Sequence, residues 1–218
     1  MSENTIFARA PQVNAPRSVF RRDHKLKTAI GVNYLYPIYV DEVLPGDTFQ
    51  FKHNLFGRLS TPLTPYMDYL YLDTFYFAVP VRLIDKDFKK FMGERPFGDV
   101  RNDYVVPTIK AGDGVEVESL FDYMGIPPLV KDIEFCAWFP RAYNLIYNEW
   151  FRDENLCPAA PVAGVEEDGT IHEETIDDYP LRKRGKRLNY FTGCLPWPQK
   201  GESASIGLVG AAPVVGNG

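Results

Sequence analysis

The chain has 218 residues, of which 45% are hydrophobic and 14% aromatic, and its formal net charge is −5. This composition excludes an intrinsically disordered chain, and the negative charge argues against a general nucleic-acid binder. The 18 prolines and 17 glycines favour a mainly β fold with long loops over a helical bundle.

The cysteines and the hydropathy pattern indicate the compartment. Cys136, Cys157 and Cys194 are odd in number and form no CxxC pair, which fits a reducing environment. No run approaches the roughly 18 uncharged apolar residues of a membrane span, and the first residues lack a signal-peptide pattern. We therefore expect a soluble protein that is made and used without secretion.

Residues 1–32 are predicted to form a basic N-terminal arm. The arm has little hydrophobic periodicity, so it is expected to become ordered only through contacts with other parts. Lysine and arginine contact phosphates without reading base sequence, which makes the arm a candidate for DNA-phosphate contacts. The candidates are Arg9, Arg17, Arg21, Arg22, Lys25 and Lys27. The alternative is that these cations contact neighbouring subunits.

Residues 33–84 are predicted to hold the first strands of a sheet. Pro45-Gly46-Asp47 is a turn signal between two strand-like runs. The run YLYLDTFYFAVPVRLI, residues 69–84, is apolar or aromatic on both alternating faces, which predicts a strand covered on both sides. Pro80 cannot donate to a ladder and should end that strand. Phe75 and Phe77 are predicted core or subunit-packing residues.

Residues 85–218 are predicted to be an insertion region with one clear amphipathic helix. Residues 85–134 are irregular, with a short helix that Ser119 would cap and that would end near Gly125. Apolar side chains at spacings of three and four predict the longer helix at about 138–153, and Pro140 suits its first turn. The further predicted packing residues are Trp138, Tyr143, Trp150 and Trp197.

Two charged segments follow the helix. The acidic loop, residues 165–178, lacks the ligand order of a calcium-binding loop, so it is predicted to be solvated and to hold no metal. The basic segment, residues 182–187, would either contact phosphate or form salt bridges to acidic loops, including the one before it. Its candidate phosphate contacts are Arg182, Lys183, Arg184, Lys186 and Arg187.

No pattern points to catalysis or to a cofactor. His24, His53 and His172 belong to no metal-ligand or nucleophile motif, and His53 is predicted to be a satisfied, partly buried side chain. A jelly-roll ligand-binding module or cupin-like enzyme, the alternative function, would need histidines and a carboxylate to converge in one barrel. The three or four expected strands, nearly all before residue 84, are too few to close a sandwich. Other chains or further sequence of the same polypeptide would have to complete the sheet.

Four stretches together resemble a known family. They are FARAPQVNAPRSVFRRDHKLKTAI leading to PGDTF, then FYFAVPVRLI, RAYNLIYNEWFRDENL and RGKRLNYFTGCLPWPQKG, which span residues 7–201 in this order. In these motifs the chain resembles the N-terminal part of the major capsid protein of gokushoviruses, small single-stranded DNA phages of the microvirus family.

The resemblance implies a viral jelly roll, an antiparallel β-sandwich with long loop insertions, of which this chain carries only part. It implies pentamers and a T=1 icosahedral shell of sixty copies around a circular single-stranded DNA genome, assembled in the cytoplasm of the host bacterium, with no enzymatic activity. The implied partners are other copies of the chain, the remainder of the same polypeptide, the genome, a minor pilot protein and a small internal DNA-binding protein. The sequence identifies neither the host nor its receptor.

Overall fold

The computed structural model describes residues 13–14, 16–95, 97–98, 104–165, 169, 172–195, 197 and 201. Its helices are α1 (Phe88–Phe91), α2 (Leu120–Tyr123) and α3 (Trp138–Ile146), the π-helical turn Tyr147–Phe151, and the 3-10 turns Val81–Leu83 and Ile176–Asp178. Its strands are β1 (Thr108–Ala111) and β2 (Ile133–Cys136). This part of the chain is mostly non-helical, consistent with a mainly β fold, and none of its helices is long and apolar enough to cross a membrane.

Strands β1 and β2 form a two-stranded antiparallel sheet. Thr108 lies opposite Cys136 and Ala111 opposite Ile133. Alternate residues of β1 are buried, because successive side chains of a strand point to opposite faces. On the outer face the Thr108 hydroxyl donates to the Glu134 carboxylate at 2.5 Å.

The main hydrophobic core lies against the inner face of this sheet. It contains Ile109, Ala111, Val115, Leu120, Phe121, Ala137 and Tyr179, all at most 2% exposed. A second cluster, at the C-terminal end of α3, contains Tyr147, Phe151 and Ala160, with Leu35, Phe77 and Ile146 packed against it. Both clusters centre on residues 109–179, inside the region predicted to be an insertion.

The two predicted helices are present. The Ser119 hydroxyl accepts a hydrogen bond from the Asp122 N–H at 3.4 Å, which caps α2, and Gly125 follows the helix with φ +91°. The longer helix begins at Trp138 as predicted, with Pro140 in its first turn, and continues through the π-helical turn to Phe151. It ends two residues before the predicted end because Arg152 adopts an extended conformation.

The strands of residues 33–84 differ from the prediction. In the described part of the chain they form no ladder, and their one bridged pair is Tyr34 opposite Lys183. Both strands that do form lie in residues 108–136, where the sequence predicts only short strand-like pieces between turns, and not before residue 84, where nearly all strands were predicted. A strand is stabilised by hydrogen bonds to a neighbour, and β1 has that neighbour in β2 whereas residues 36–79 have none here. The run from residue 69 does end at Pro80, which precedes the turn Val81–Leu83.

Candidate assembly and nucleic-acid contact surfaces

Residues 49–77, which we call the aromatic segment, expose large apolar side chains. Phe56 is 93%, Met67 92% and Tyr69 81% exposed. The two alternating faces of the predicted strand are both open, since Tyr71 on one face is 74% exposed and Leu72 on the other is 55% exposed. The described residues therefore do not supply the covering that the sequence pattern predicts for this run.

The C-terminal end of the aromatic segment packs on the end of the long helix. The rings of Phe75 and Phe77 lie 5.3 and 5.9 Å from that of Phe151, and Phe77 lies 5.6 Å from Trp150. These centroid distances are those of attractive aromatic pairs. The helix thus anchors the C-terminal end of the segment.

The predicted packing residues divide by exposure. Phe77, Trp138 and Tyr143 are half-buried. Phe75, Trp150 and Trp197 are exposed, at 48%, 70% and 41%. Tyr143 connects distant parts of the chain: its hydroxyl donates to the Leu35 carbonyl at 3.0 Å and accepts from the Arg182 N–H at 2.9 Å.

The first two cations of the basic segment are part of the fold. Arg182 donates to the Asn144 side-chain oxygen at 3.0 Å and to the Asp178 carbonyl at 3.1 Å. Its guanidinium also lies 5.1 Å from the centre of the Tyr147 ring. The Lys183 ammonium lies 5.1 Å from the centre of the Tyr34 ring. These contacts support a structural role for both side chains.

The next two arginines bind an acidic residue far away in the sequence. Arg184 donates to Asp73 at 2.6 Å, and Arg187 donates to the same carboxylate oxygen. Hydrogen bonds from Arg187 and Arg184 hold the pKa of Asp73 below its usual value. Lys186, the remaining cation of the segment, has no ion pair within the described residues. Salt bridging is thus present, and the partner of Arg184 and Arg187 is Asp73, which lies outside the acidic loop.

The arm is exposed throughout its described part. Arg22 forms an ion pair with Asp41, which together with the hydroxyl of Tyr39 holds the pKa of that carboxyl below its usual value. The other described arm cations make no ion pair with any described residue; they are Arg17, Arg21, Lys25 and Lys27. Arg9, the sixth predicted phosphate contact of the arm, lies outside the described residues.

A buried polar network joins the start of the insertion region to the acidic loop. Arg141 donates through Nε to both carboxylate oxygens of Glu174, at 2.9 and 3.1 Å, and the two side chains are each 10% exposed. Arg141 also donates to the Ile84 carbonyl at 3.0 Å, and the hydroxyl of Tyr179 donates to Glu174. The prediction that the acidic loop is solvated was wrong for Glu174, which faces a buried guanidinium.

Asp85 extends this network on the other side of Arg141. Its carboxylate accepts from the Tyr104 hydroxyl at 2.5 Å, the Trp138 Nε1–H at 3.1 Å and the Asp87 N–H at 2.9 Å. Burial by itself would raise the pKa of Asp85, but these hydrogen bonds and the charge of Arg141 hold it below its usual value. Neither Asp85 nor Arg141 stood out in the sequence; the only signal was the single charge of Arg141 within an apolar run.

The three histidines have separate partners. His24 stacks on Tyr39 with ring centres 5.4 Å apart, and His172 pairs with the Asp178 carboxylate at 3.0 Å. His53 is exposed beside Tyr76, so the expectation that it is partly buried was wrong; its neighbours leave that side of the aromatic segment open. Among the described residues, no three histidine, cysteine or acidic side chains are grouped to hold a metal ion.

Comparison with known proteins identifies the family. The model of a family described as "Capsid protein (F protein)" matches residues 8–218. The chain belongs to this capsid protein family. It is 41% identical over 209 residues to capsid protein VP1 of Bdellovibrio phage phiMH2K, a match that covers 95% of the chain and 38% of that protein. It is 40% identical over 221 residues to capsid protein VP1 of Chlamydia phage 1, with 94% and 37% covered.

A third relative agrees with these two. Capsid protein VP1 of Spiroplasma virus 4 is 38% identical over 207 residues, with 91% of the chain and 37% of the relative covered. The chain thus spans less than two fifths of the length of the curated relatives that it matches. The resemblance to gokushovirus capsid proteins is confirmed, and with it a structural capsid role and a place in the virion at the level of the family.

Proposed function

We propose that this chain is the part of a coat protein that carries the first strands and the long insertion of a viral jelly roll. Residues 33–84 would supply the strands and residues 85–218 the insertion, with residues 1–32 as the arm. The observation that carries the proposal is the aromatic segment, whose large apolar side chains are exposed here and whose run from residue 69 has the alternating pattern of a strand covered on both faces. Strands from further sequence of the same polypeptide would cover one face, and neighbouring copies the other.

The proposed assembly is a T=1 icosahedral shell of sixty copies, built through pentamers, around a single-stranded DNA genome. Large aromatic contact areas are typical of permanent assemblies, and symmetry repeats each contact around the shell. The proposed role is mechanical and non-enzymatic. A pilot protein and a small internal DNA-binding protein are proposed as further partners, because the family resemblance implies them.

The segment's role in assembly can be tested on the full-length polypeptide that contains this chain. Wild-type protein is expected to form particles of uniform diameter in electron micrographs. The double variant Phe56→Ser, Met67→Ser should abolish particles, because both side chains are over 90% exposed here and would be buried only by covering strands or copies. Phe97→Ser, which removes an equally exposed ring outside the segment, should leave them intact. Absence of wild-type particles, or normal particles from the double variant, would contradict the proposal.

We further propose that the arm contacts the genome. The arm cations that lack an ion pair in the described structure are available to phosphate, and each contact would release counterions. Replacement of Arg17, Arg21, Lys25 and Lys27 by glutamine should give shells that retain less DNA. The matched control replaces four exposed cations outside the arm, namely Lys52, Arg58, Lys86 and Lys131. Equal DNA content in the two sets of particles would refute the arm's role.

The alternative of a ligand-binding module or cupin-like enzyme has less support. It requires histidines that converge with a carboxylate, whereas His24 and His53 each lie beside a tyrosine ring and only His172 meets a carboxylate, that of Asp178. Isothermal titration of the full-length protein with divalent zinc, iron or manganese tests this alternative, which predicts stoichiometric binding.

A further inference from the structure

Asp73 connects the aromatic segment with the basic segment, which are far apart in the sequence. It belongs to the aromatic segment, and its Oδ2 accepts hydrogen bonds from Arg184 and Arg187, 111 and 114 residues further along the chain. Both guanidinium groups also lie over rings of the aromatic segment. Arg184 is 5.5 Å from the centre of Phe75, and Arg187 is 5.2 Å from the centre of Tyr71.

We propose that Asp73 competes internally with nucleic-acid phosphate for Arg184 and Arg187. A carboxylate and a phosphate accept hydrogen bonds from a guanidinium in the same geometry, so one group can replace the other. The C-terminal half of the basic segment therefore binds the chain itself until a polyanion displaces the carboxylate. The inference rests on the proposed function, because the single-stranded genome is the polyanion in question.

The pairing is of a kind that phosphate can displace. The side chain of Asp73 is 32% exposed, and those of Arg184 and Arg187 are 32% and 57% exposed. Ion pairs open to solvent are weak and are screened by salt. One carboxylate oxygen serves both arginines, so the remaining N–H groups of each guanidinium stay available to an incoming phosphate.

The neighbouring rings favour a single-stranded partner. Tyr71 is 74% and Phe75 48% exposed, and both lie beside the two arginines. Proteins that bind single-stranded nucleic acid combine cations along the backbone with aromatic rings on which unpaired bases stack. A duplex, whose bases are already stacked, would use only the cations.

The rest of the basic segment would keep its place during the exchange. Arg182 is bonded to Asn144 and to the Asp178 carbonyl. The Gly185 N–H donates to the Phe151 carbonyl at 2.8 Å, and a Cβ on Gly185 would lie only 3.0 Å from that oxygen. The backbone is thus held on both sides of Arg184, and the exchange needs only side-chain movement.

The experiment measures binding of fluorescent oligothymidylate to the full 218-residue chain across a range of salt concentrations. Asp73→Asn removes the competitor, whereas the matched control Asp68→Asn removes a nearby exposed carboxylate that has no arginine partner among the described residues. Each phosphate contact to a single strand adds about 0.7 to the magnitude of the slope of log K against log salt. Asp73→Asn should tighten binding at low salt more than Asp68→Asn does, because phosphate no longer has to displace a carboxylate to contact Arg184 and Arg187.

A second experiment keeps the test decisive if Asp73→Asn fails to fold. In the chain that retains Asp73, the double variant Arg184→Gln, Arg187→Gln should reduce the magnitude of the slope by about 1.4, because phosphate displaces Asp73 from both arginines in the bound state. An unchanged slope in that variant would overturn the inference, as would equal affinities of Asp73→Asn and Asp68→Asn or no DNA binding by either. Particle formation by the full-length protein is a separate measurement, so failure of the proposed assembly can be distinguished from failure of this inference.

Discussion

The buried ion pair between Arg141 and Glu174 offers the most direct test of the core. We predict that Glu174→Gln, which keeps the side-chain shape, lowers the free energy of unfolding by about 3–5 kcal/mol, the usual cost of removing one partner of a buried ion pair. The amide NH₂ would replace one of the two oxygens to which Arg141 donates, and the guanidinium, only 10% exposed, would lose its counter-charge. Each charge-assisted hydrogen bond lost contributes about 1.5–3 kcal/mol, which is consistent with that range.

The assay is urea unfolding of the chain, followed by the fluorescence of Trp138, whose indole donates to the neighbouring Asp85. The matched control is Glu173→Gln, since Glu173 is the adjacent, exposed acidic residue. The control should change the unfolding free energy by less than about 0.5 kcal/mol. If the two variants unfold at the same urea concentration, the reasoning about the buried pair is refuted.

Three further predictions concern the core and its edges. Phe77→Ala should lower the free energy of unfolding by about 2–3 kcal/mol, which is less than for a fully buried ring because Phe77 is half-buried. In the same urea assay Phe56→Ala should be near neutral, because that ring is exposed, and equal costs for the two variants would contradict the packing described. Burial raises the pKa of Tyr143 to about 12, so the unfolded chain loses that proton first and stability should fall as pH rises from about 10 to 12. Tyr143→Phe should make this fall shallower in unfolding measured at several pH values, and an unchanged slope would argue against it. Ser119→Ala should cost about 1 kcal/mol through loss of the cap on α2, measured by thermal unfolding, and a rise in stability would refute the capping role.

Local patterns in the sequence predicted the helices well. The spacing of apolar residues after Ala137 and the position of Pro140 depend on neighbours within one or two turns, which the sequence displays directly. The cap at Ser119 is equally local. Even so, the π-helical turn that continues the helix was missed, because one extra residue in a turn leaves no clear trace in a period of three to four.

Non-local pairings could not be predicted in the same way. The alternating pattern of residues 69–79 indicates a strand but contains no information on which segment would pair with it, and here no described segment forms a ladder with it. The basic segment shows the same limit for charge. The sequence identifies its arginines as cations. Their partner Asp73 lies more than a hundred residues earlier, so only the structure shows the ion pairs.

The π-helical turn sets the rotational register of everything attached to the end of the long helix. The Arg152 N–H donates to the Tyr147 carbonyl five residues earlier at 2.8 Å, and the Phe151 carbonyl accepts from Gly185. Deleting one residue of this turn would restore ordinary helical geometry and rotate the residues that follow by about 100°. Phe151 would then turn away from the aromatic segment, so a single-residue change in length, with no change in hydrophobicity or charge, would detach that segment from its anchor.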